Sequence, residues 1–198
     1  MRQFMNKLVE EKASLRNALL ATVNFLFWLW LIDFSPIGVS GLLKVTGGVN
    51  ILDFESGYSV KYAYTLLSNL GEAGRMFHLT KIMPLDILFP FSLMLFGVTW
   101  FLYLLNKVTL HNCVLRFLPL FSVLNMLLDW TENIGIVIMI LNYPKQLPGV
   151  CHFTATVSSI KFCCVKFIAV ALALLTIALI FKKIYMGIRK CIGKSPKK

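Results

Sequence analysis

The sequence predicts an all-α, polytopic membrane protein, with four transmembrane helices in a bundle and a partly helical outer loop. Three observations lead to this fold class: 58% of the 198 residues are apolar, only 15% are charged, and the apolar residues collect in four long blocks. Soluble globular domains contain about 25% charged residues. The composition therefore excludes a soluble enzyme, a disordered chain and a disulfide-stapled secreted module. It favours a single membrane domain over residues 1–198.

Each apolar block is compared with the roughly 20 helical residues that cross a bilayer core. The four predicted spans cover residues 15–34, 85–105, 114–141 and 157–181. The third block is too long for an upright span, and it contains Arg116, Asp129 and Glu132. The fourth carries Lys161 and Lys166 in its first half. These ionisable residues make the last two spans the most informative part of the chain.

The positive charges predict the orientation, because Lys and Arg in short flanking segments are retained in the cytoplasm. The tail 182–198 has seven Lys and Arg residues and no acid, and the N-terminal segment is also basic. We therefore expect both termini in the cytoplasm and loop 35–83 outside or in a lumen. A signal peptide ending near Val39–Gly41 is the main alternative for the first span. Its cleavage would leave three spans and place the termini on opposite sides.

The net charge of +11 raises the question of a nucleic-acid partner, which the four spans argue against. Most of the excess lies in the tail, where a basic cluster after a span is typical of contact with anionic lipid headgroups. The predicted contact residues are Lys182, Lys183, Arg189 and Lys190. The alternative is a topology signal without a partner. Cys191 could also accept a palmitoyl chain.

The outer loop is long enough to hold structure of its own. Ser59 can cap a helix that continues to Leu70, and Gly71 ends or bends it. A second helical stretch then leads from Glu72 towards Pro84. We expect both stretches on the outer surface of the bundle, with these charged residues near headgroups: Lys61, Arg75, His78 and Lys81.

Cysteine and histidine spacing predicts no metal site, no cofactor and no disulfide framework. The five cysteines are scattered, and only Cys151 lies clearly in an outer loop. No C-x-x-C pair is present, which argues against a membrane thiol oxidoreductase. His78 has no second ligand nearby in the sequence.

One face of the third span is polar. On a helical wheel, five side chains fall within an arc of about 100°: Ser122, Asn125, Asp129, Glu132 and Asn133. An aspartate at the centre of a spanning helix costs at least ~2.5 kcal/mol. The polar face is therefore predicted to turn towards other helices or water, whereas Arg116 points the opposite way and reaches the cytoplasmic interface.

The carboxylates need partners, and the sequence offers two lysines in span four and an aspartate in span two. Lys166 is predicted at a depth similar to that of Glu132, with Lys161 nearer the outer face and Asp86 at an outer mouth. Because the lysines are about 140° apart on their helix, only one is expected in the cluster. The candidate ligand or ion site comprises Asp86, Asn125, Asp129, Glu132, Asn133, Lys161 and Lys166.

Three interpretations of this polar cluster stay open. It is a structural ion pair that fixes helix packing, a site for a small ligand, ion or proton, or an acid/base pair of an intramembrane enzyme. No activated nucleophile, H-E-x-x-H pair or phosphate-binding loop accompanies the carboxylates. An enzyme is therefore the least favoured interpretation, and no catalytic residue is assigned.

An ordered set of short motifs resembles a group of small uncharacterised four-span membrane proteins. The motifs are Leu70-Gly71-x-x-Gly74-Arg75, Asp86-x-x-Phe89-Pro90, Leu118-Pro119, Asp129-x-x-Glu132-Asn133, Tyr143-Pro144 and Lys161. They extend over about residues 50 to 165. The group has a tyrosine soon after the Gly-Arg pair, where this chain has Phe77 and His78. The resemblance implies a four-helix membrane protein, favours Lys161 over Lys166, and implies no activity.

Overall fold

The chain is α-helical, and four of its helical stretches are long and apolar enough to cross a membrane. The computed structural model describes residues 14–108 and 114–192. In these two ranges the four stretches are Leu15–Thr46, Gly71–Val108, Leu115–Leu141 and Pro148–Arg189. No strand occurs in the same ranges. The predicted fold class is confirmed: the four long helices pack as a bundle.

Seven α-helices follow one another along the described chain. They are α1 (Leu15–Phe34), α2 (Val39–Thr46), α3 (Val60–Asn69), α4 (Gly71–Phe77), α5 (Met83–Val108), α6 (Leu118–Leu141) and α7 (Pro148–Ile192). Two 3₁₀ turns, Leu52–Phe54 and Val114–Phe117, and a π-helical turn, His78–Ile82, connect some of them. The four long helices α1, α5, α6 and α7 form the bundle.

The main difference from the predicted spans lies in α7. This helix has 45 residues, begins nine residues before the predicted start at 157 and continues past 181. Proline is well suited to the first helical position, because its fixed φ is already helical and that position needs no N–H donor. Residues assigned to an outer loop and to the basic tail are thus helical. The predictions that concern residues 1–13, 109–113 and 193–198 fall outside the residues that the structure describes.

The bundle is held together by close helix contacts. α6 packs against both α5 and α7, while α1 packs mainly against α5. Gly135 allows α6 to approach α7, since a Cβ at this position would collide with the side chain of Thr154. Gly97 does the same between α5 and α6, against Ser122. Small residues at such crossings are the usual means of bringing helices together in a membrane.

Residues 35–82 form a cap that packs on one end of the bundle. Its apolar side chains join the ends of α6 and α7 in one core, whose fully buried members include Leu52, Ala63, Leu67, Ile136, Met139 and Cys151. Ser59 caps α3 as predicted, because its hydroxyl accepts a hydrogen bond of 3.2 Å from the Tyr62 amide. Gly71, with φ of +64°, provides the bend between α3 and α4.

The expectation that the charged cap residues all face headgroups is wrong for His78. His78 is only 1% exposed, because the π-helical turn points it into the bundle. Arg75 lies over the ring of Tyr143, 4.0 Å from its centroid, and donates a 2.7 Å hydrogen bond to the Leu67 carbonyl. It therefore ties the cap to the segment between α6 and α7. Lys61 and Lys81 are exposed.

Candidate functional site

An ion-paired triad lies where α6 faces α7. Lys161 Nζ is 2.5 Å from Glu132 Oε2 and 3.1 Å from Asp129 Oδ1. The two carboxylates are three residues apart, so α6 presents them on neighbouring turns of one face. Glu132 is completely buried, and Lys161 is 8% exposed. The triad therefore joins the two helices through charged groups removed from solvent.

Asn133 connects this triad to α5 through a backbone group that Pro90 leaves free. Proline has no N–H, so the carbonyl four residues earlier, that of Asp86, lacks its helical donor. Asn133 Nδ2 donates to this carbonyl at 3.2 Å and also to Asp129 Oδ2 at 3.4 Å. The side chain of Asn133 thus satisfies α5 and the triad together. Two of the sequence motifs, one on α5 and one on α6, meet at this contact.

The cap adds side chains that the sequence analysis did not assign to the site. Asp53, on the 3₁₀ turn, is 8% exposed, and its Oδ2 lies 3.8 Å from His78 Nε2. Neither carboxylate oxygen and neither ring nitrogen has a hydrogen-bond partner on another described residue. The buried Tyr58 hydroxyl also lacks one. Nothing in the local sequence brings these three residues together, because their proximity depends on the folding of the cap.

Asp53 is electrostatically part of the same cluster. Burial raises the pKa of its carboxyl above the ordinary value, and the nearby Lys161 ammonium offsets part of this rise. Burial, reinforced by the carboxylates of Glu132 and Asp53, also raises the pKa of the Tyr58 hydroxyl. Asp53 therefore lies within electrostatic range of the triad, above it on the cap side.

Charge is unbalanced in this cluster. Its four carboxyl groups, Asp53, Asp86, Asp129 and Glu132, interact with one another and with a single ammonium group, that of Lys161. If all were ionised, four negative charges would face one positive charge. Isolated buried charges are very costly, and such groups are neutralised by protons or by cations. In the described part of the cluster, the acidic groups therefore outnumber the one basic group, the Lys161 ammonium.

The polar face of α6 continues below the triad to Asn125 and Ser122, both 3% exposed. A cavity of about 110 Å³ lies beside them, lined mainly by apolar side chains of α5 and α7. The Oδ1 atom of Asn125 and the hydroxyl of Ser122 have no hydrogen-bond partner among the described residues. The polar face predicted for this helix is therefore buried, and its lower part borders an apolar space.

The structure corrects two predictions about the cluster. Lys166 is exposed and takes no part in the cluster, because α7 begins at Pro148 rather than at 157 and this start carries Lys161, not Lys166, to the level of Glu132. Asp86 does not stand at an open outer mouth. It is 6% exposed, since the cap covers this end of the bundle.

The proposed headgroup contacts lie on the last part of α7. Lys182 donates a 2.8 Å hydrogen bond to the carbonyl of Lys107, which fastens α7 to the end of α5. Lys183 and Arg189 are exposed. The side chains of Lys190 and Cys191 lie outside the described residues, so their assignments stay predictions.

Within ranges 14–108 and 114–192, no group of three or more His, Cys, Asp or Glu side chains could hold a metal ion. Comparison of the chain with family models, curated proteins and solved structures gave no match. The resemblance to a group of four-span membrane proteins therefore stays a prediction. The chemistry of the site has to be argued from its own residues.

Proposed function

We propose that the chain is an integral, multi-pass membrane protein that binds and releases a proton at the buried cluster around Lys161. One observation carries the proposal: four carboxyl groups, three of them buried, lie within electrostatic range of one ammonium group, which contacts two of them directly. Carboxylates gathered in a dry site raise one another's proton affinity, and intramembrane acids of this kind mark proton or ion pathways.

The proton fits this site better than a larger ligand. The carboxylate oxygens of Asp53, in the cap, and Oδ1 of Asn133, on α6, are buried and lack partners among the described residues. They are hydrogen-bond acceptors, so their missing partner has to bring a donor. A proton supplies one without needing space, whereas a small organic cation or a metal ion requires the cap to open. Cation binding therefore remains an outcome of the test.

A structural role is the second candidate, and the direct contacts of Lys161 favour it. The ammonium contacts carboxylates of two neighbouring turns of α6, which is what a fixed connection between α6 and α7 would need. Buried polar groups are known to fix helix register. On this alternative, the cluster never changes its protonation state at any pH at which the protein is folded.

The test follows the carboxyl groups of purified protein in lipid nanodiscs by infrared difference spectroscopy between about pH 5 and 9. The proposal expects a protonated carboxylic acid C=O band that is lost as the pH rises. Glu132→Gln or Asp129→Asn should remove or shift this band. Lys166→Met, a change to an exposed lysine of the same helix, is the matched control and should leave it unchanged.

A spectrum without any titrating band contradicts the proposal and supports the structural role. A titrating band that arises outside the cluster also contradicts the proposal. Such a band would persist in each single variant and in their combination: Glu132→Gln, Asp129→Asn, Asp86→Asn and Asp53→Asn. Repeating the titration with sodium, potassium or methylammonium chloride distinguishes cation binding. A bound cation displaces protons and moves the midpoint of the band to lower pH.

A further inference from the structure

We infer that Asp53 and His78 form a proton relay between the cluster and the cap side of the membrane, an inference that rests on the proposed function. The two residues come from separate parts of the cap, the 3₁₀ turn Leu52–Phe54 and the π-helical turn His78–Ile82. Their nearest polar atoms, Asp53 Oδ2 and His78 Nε2, are 3.8 Å apart. A carboxylate beside an imidazole is a pairing that proteins use to move protons near neutral pH.

Burial without partners distinguishes this pair from an ordinary ion pair. His78 is 1% exposed and Asp53 8% exposed. Both ring nitrogens and both carboxylate oxygens lack hydrogen-bond partners on other described residues. Buried polar groups are nearly always hydrogen-bonded, and an exception indicates strain, an ordered water or a functional role. A neutral imidazole has one donor and one acceptor nitrogen, so this ring can accept a proton and pass one on.

The π-helical turn explains why His78 faces inward. α4, the π-helical turn and α5 form one helical stretch, Gly71–Val108. In a regular α-helix, His78 and Asp86 would be offset by about 80° around the axis. A π turn holds more residues than an α turn and reduces this offset, and such turns are frequent at functional sites. As a result, His78, Ile82 and Asp86 are all buried.

Ionisable groups of three helices lie within electrostatic range of Asp53, the acidic member of the pair. α5 contributes Asp86, α6 contributes Asp129 and Glu132, and α7 contributes Lys161. The cap itself contributes the buried hydroxyl of Tyr58. The pair is therefore the part of the cluster contributed by the cap, whereas the three helices contribute the remainder. Protons arriving from the cap side reach it before they reach the triad.

The transfer is a sequence of balanced proton movements. A proton binds to His78, and the N–H bond at Nε2 then breaks as an O–H bond forms at Asp53 Oδ2. The gap of 3.8 Å has to close by about 1 Å, or one water has to bridge it, for this hydrogen bond to form. The proton next moves from Asp53 to a carboxylate of the helices. The carboxylate returns to its starting form. The ring, which gains a proton at Nδ1 and loses one at Nε2, is left as the other neutral tautomer and regains its starting form by turning over or by exchanging its proton, so no other reactant is needed.

The experiment measures how fast the cluster responds to a pH jump. Time-resolved infrared spectroscopy follows the carboxylic acid band that Glu132→Gln removes, using the full chain in nanodiscs. We expect His78→Gln and Asp53→Asn each to slow the response about a hundredfold, the usual scale for a lost acid/base group. The matched controls, His152→Gln and Glu55→Gln, alter exposed residues and should respond at the wild-type rate.

The outcomes separate this inference from the proposed function. Wild-type response rates in both His78→Gln and Asp53→Asn overturn the relay, although the cluster still titrates. Absence of the band in the wild type overturns the proposed function instead. If the buried changes prevent folding, ring ¹⁵N spectra of His78 in the wild type decide. A ring that keeps one protonation state and one tautomer between about pH 5 and 8 overturns the relay.

Discussion

At the residue scale, Pro90 and Asn133 depend on one another. The proline removes the amide that would bind the Asp86 carbonyl, and the asparagine supplies a replacement donor from another helix. A buried carbonyl without any donor costs about 1–3 kcal/mol. The pair therefore compensates within the protein for a donor that water would otherwise have to provide.

Loss of the Asn133 side-chain amide should accordingly lower the stability of the fold more when Pro90 is present than when it is replaced. We expect Asn133→Leu to lower the free energy of unfolding by about 1–3 kcal/mol, because the Asp86 carbonyl loses its donor. In the Pro90→Ala background, the new backbone N–H can bind this carbonyl, and the same change should cost less. Reversible denaturation in mixed micelles gives both differences; equal costs in the two backgrounds would contradict the assignment.

The triad gives a second prediction from a double-mutant cycle. Lys161→Met should cost about 3–5 kcal/mol, since it leaves buried carboxylates without a positive partner, whereas Glu132→Gln should cost less, because Lys161 keeps Asp129 at 3.1 Å. The combination should cost less than the sum, because the two removed charges compensated each other. Thermal unfolding of the four proteins measures this. Lys166→Met should be nearly neutral at its exposed position, and additive costs would show that Lys161 and Glu132 act independently.

Asp53 makes stability depend on pH in a defined direction. Its pKa is raised in the folded protein, so the stability that its proton contributes is present at low pH and is lost as the pH rises through the raised value. Asp53→Asn keeps the shape but cannot ionise. We expect the melting temperature of Asp53→Asn, relative to wild type, to increase from about pH 4 to neutral pH. A constant difference across this range would contradict the prediction.

At the element scale, close crossings position the site. Gly135 on α6 meets Thr154 on α7, and the ion pairs of Lys161 lie between the same two helices. A side chain at 135 would push these helices apart. The distance between Lys161 and the two carboxylates therefore depends on a residue that carries no charge.

Gly135→Ala should thus affect both stability and the cluster. We expect a loss of about 1–3 kcal/mol from overpacking, together with a shifted carboxylic acid band. The matched control is Gly149→Ala on α7, where an added Cβ meets no atom within 4 Å. Thermal unfolding and infrared spectra measure the two effects. An unchanged band in a destabilised Gly135→Ala would show that the triad does not depend on this crossing.

How much of the site the sequence predicts differs between α6, α7 and the cap. The polar face of α6 was predictable, because helical periodicity alone places Asp129, Glu132 and Asn133 together. The choice of Lys161 over Lys166 depends on where α7 begins, and the apolar block that starts at 157 does not indicate the helical start at Pro148. Asp53 and His78 could not be assigned, because their contact requires both the tertiary fold of the cap and a π-helical turn that periodicity does not indicate.

At the scale of the whole molecule, the fold class was predictable because composition alone separates membrane from aqueous chains. Four apolar blocks of spanning length leave few arrangements other than a helical bundle. The cap was harder to predict, since its core is shared with the ends of α6 and α7. The apolar side chains of its helices pack against residues that lie far away in the sequence.

If all four long helices cross the membrane, both chain ends lie on one side of it. We predict that tags at the two termini are accessible from the same side, which the basic residues near both ends indicate to be the cytoplasm. A tag inserted between Gly47 and Gly48, where no atom crowds the backbone, should be accessible from the other side. Protease protection in sealed vesicles measures all three, and termini on opposite sides would contradict the four-span topology.

α7 is a long helix, and its ion-paired residue, Lys161, lies nearer one end than the other. Its 45 residues extend for about 67 Å, more than twice the roughly 30 Å of a bilayer core. Lys161 divides the helix unequally, with about 20 Å of axis to Pro148 and about 42 Å to Arg189. If the ion-paired lysine serves as the fulcrum, a tilt of this rod moves its basic end about twice as far as its cap end. On that condition, a small displacement of the cap end would be about doubled at the basic end of the helix.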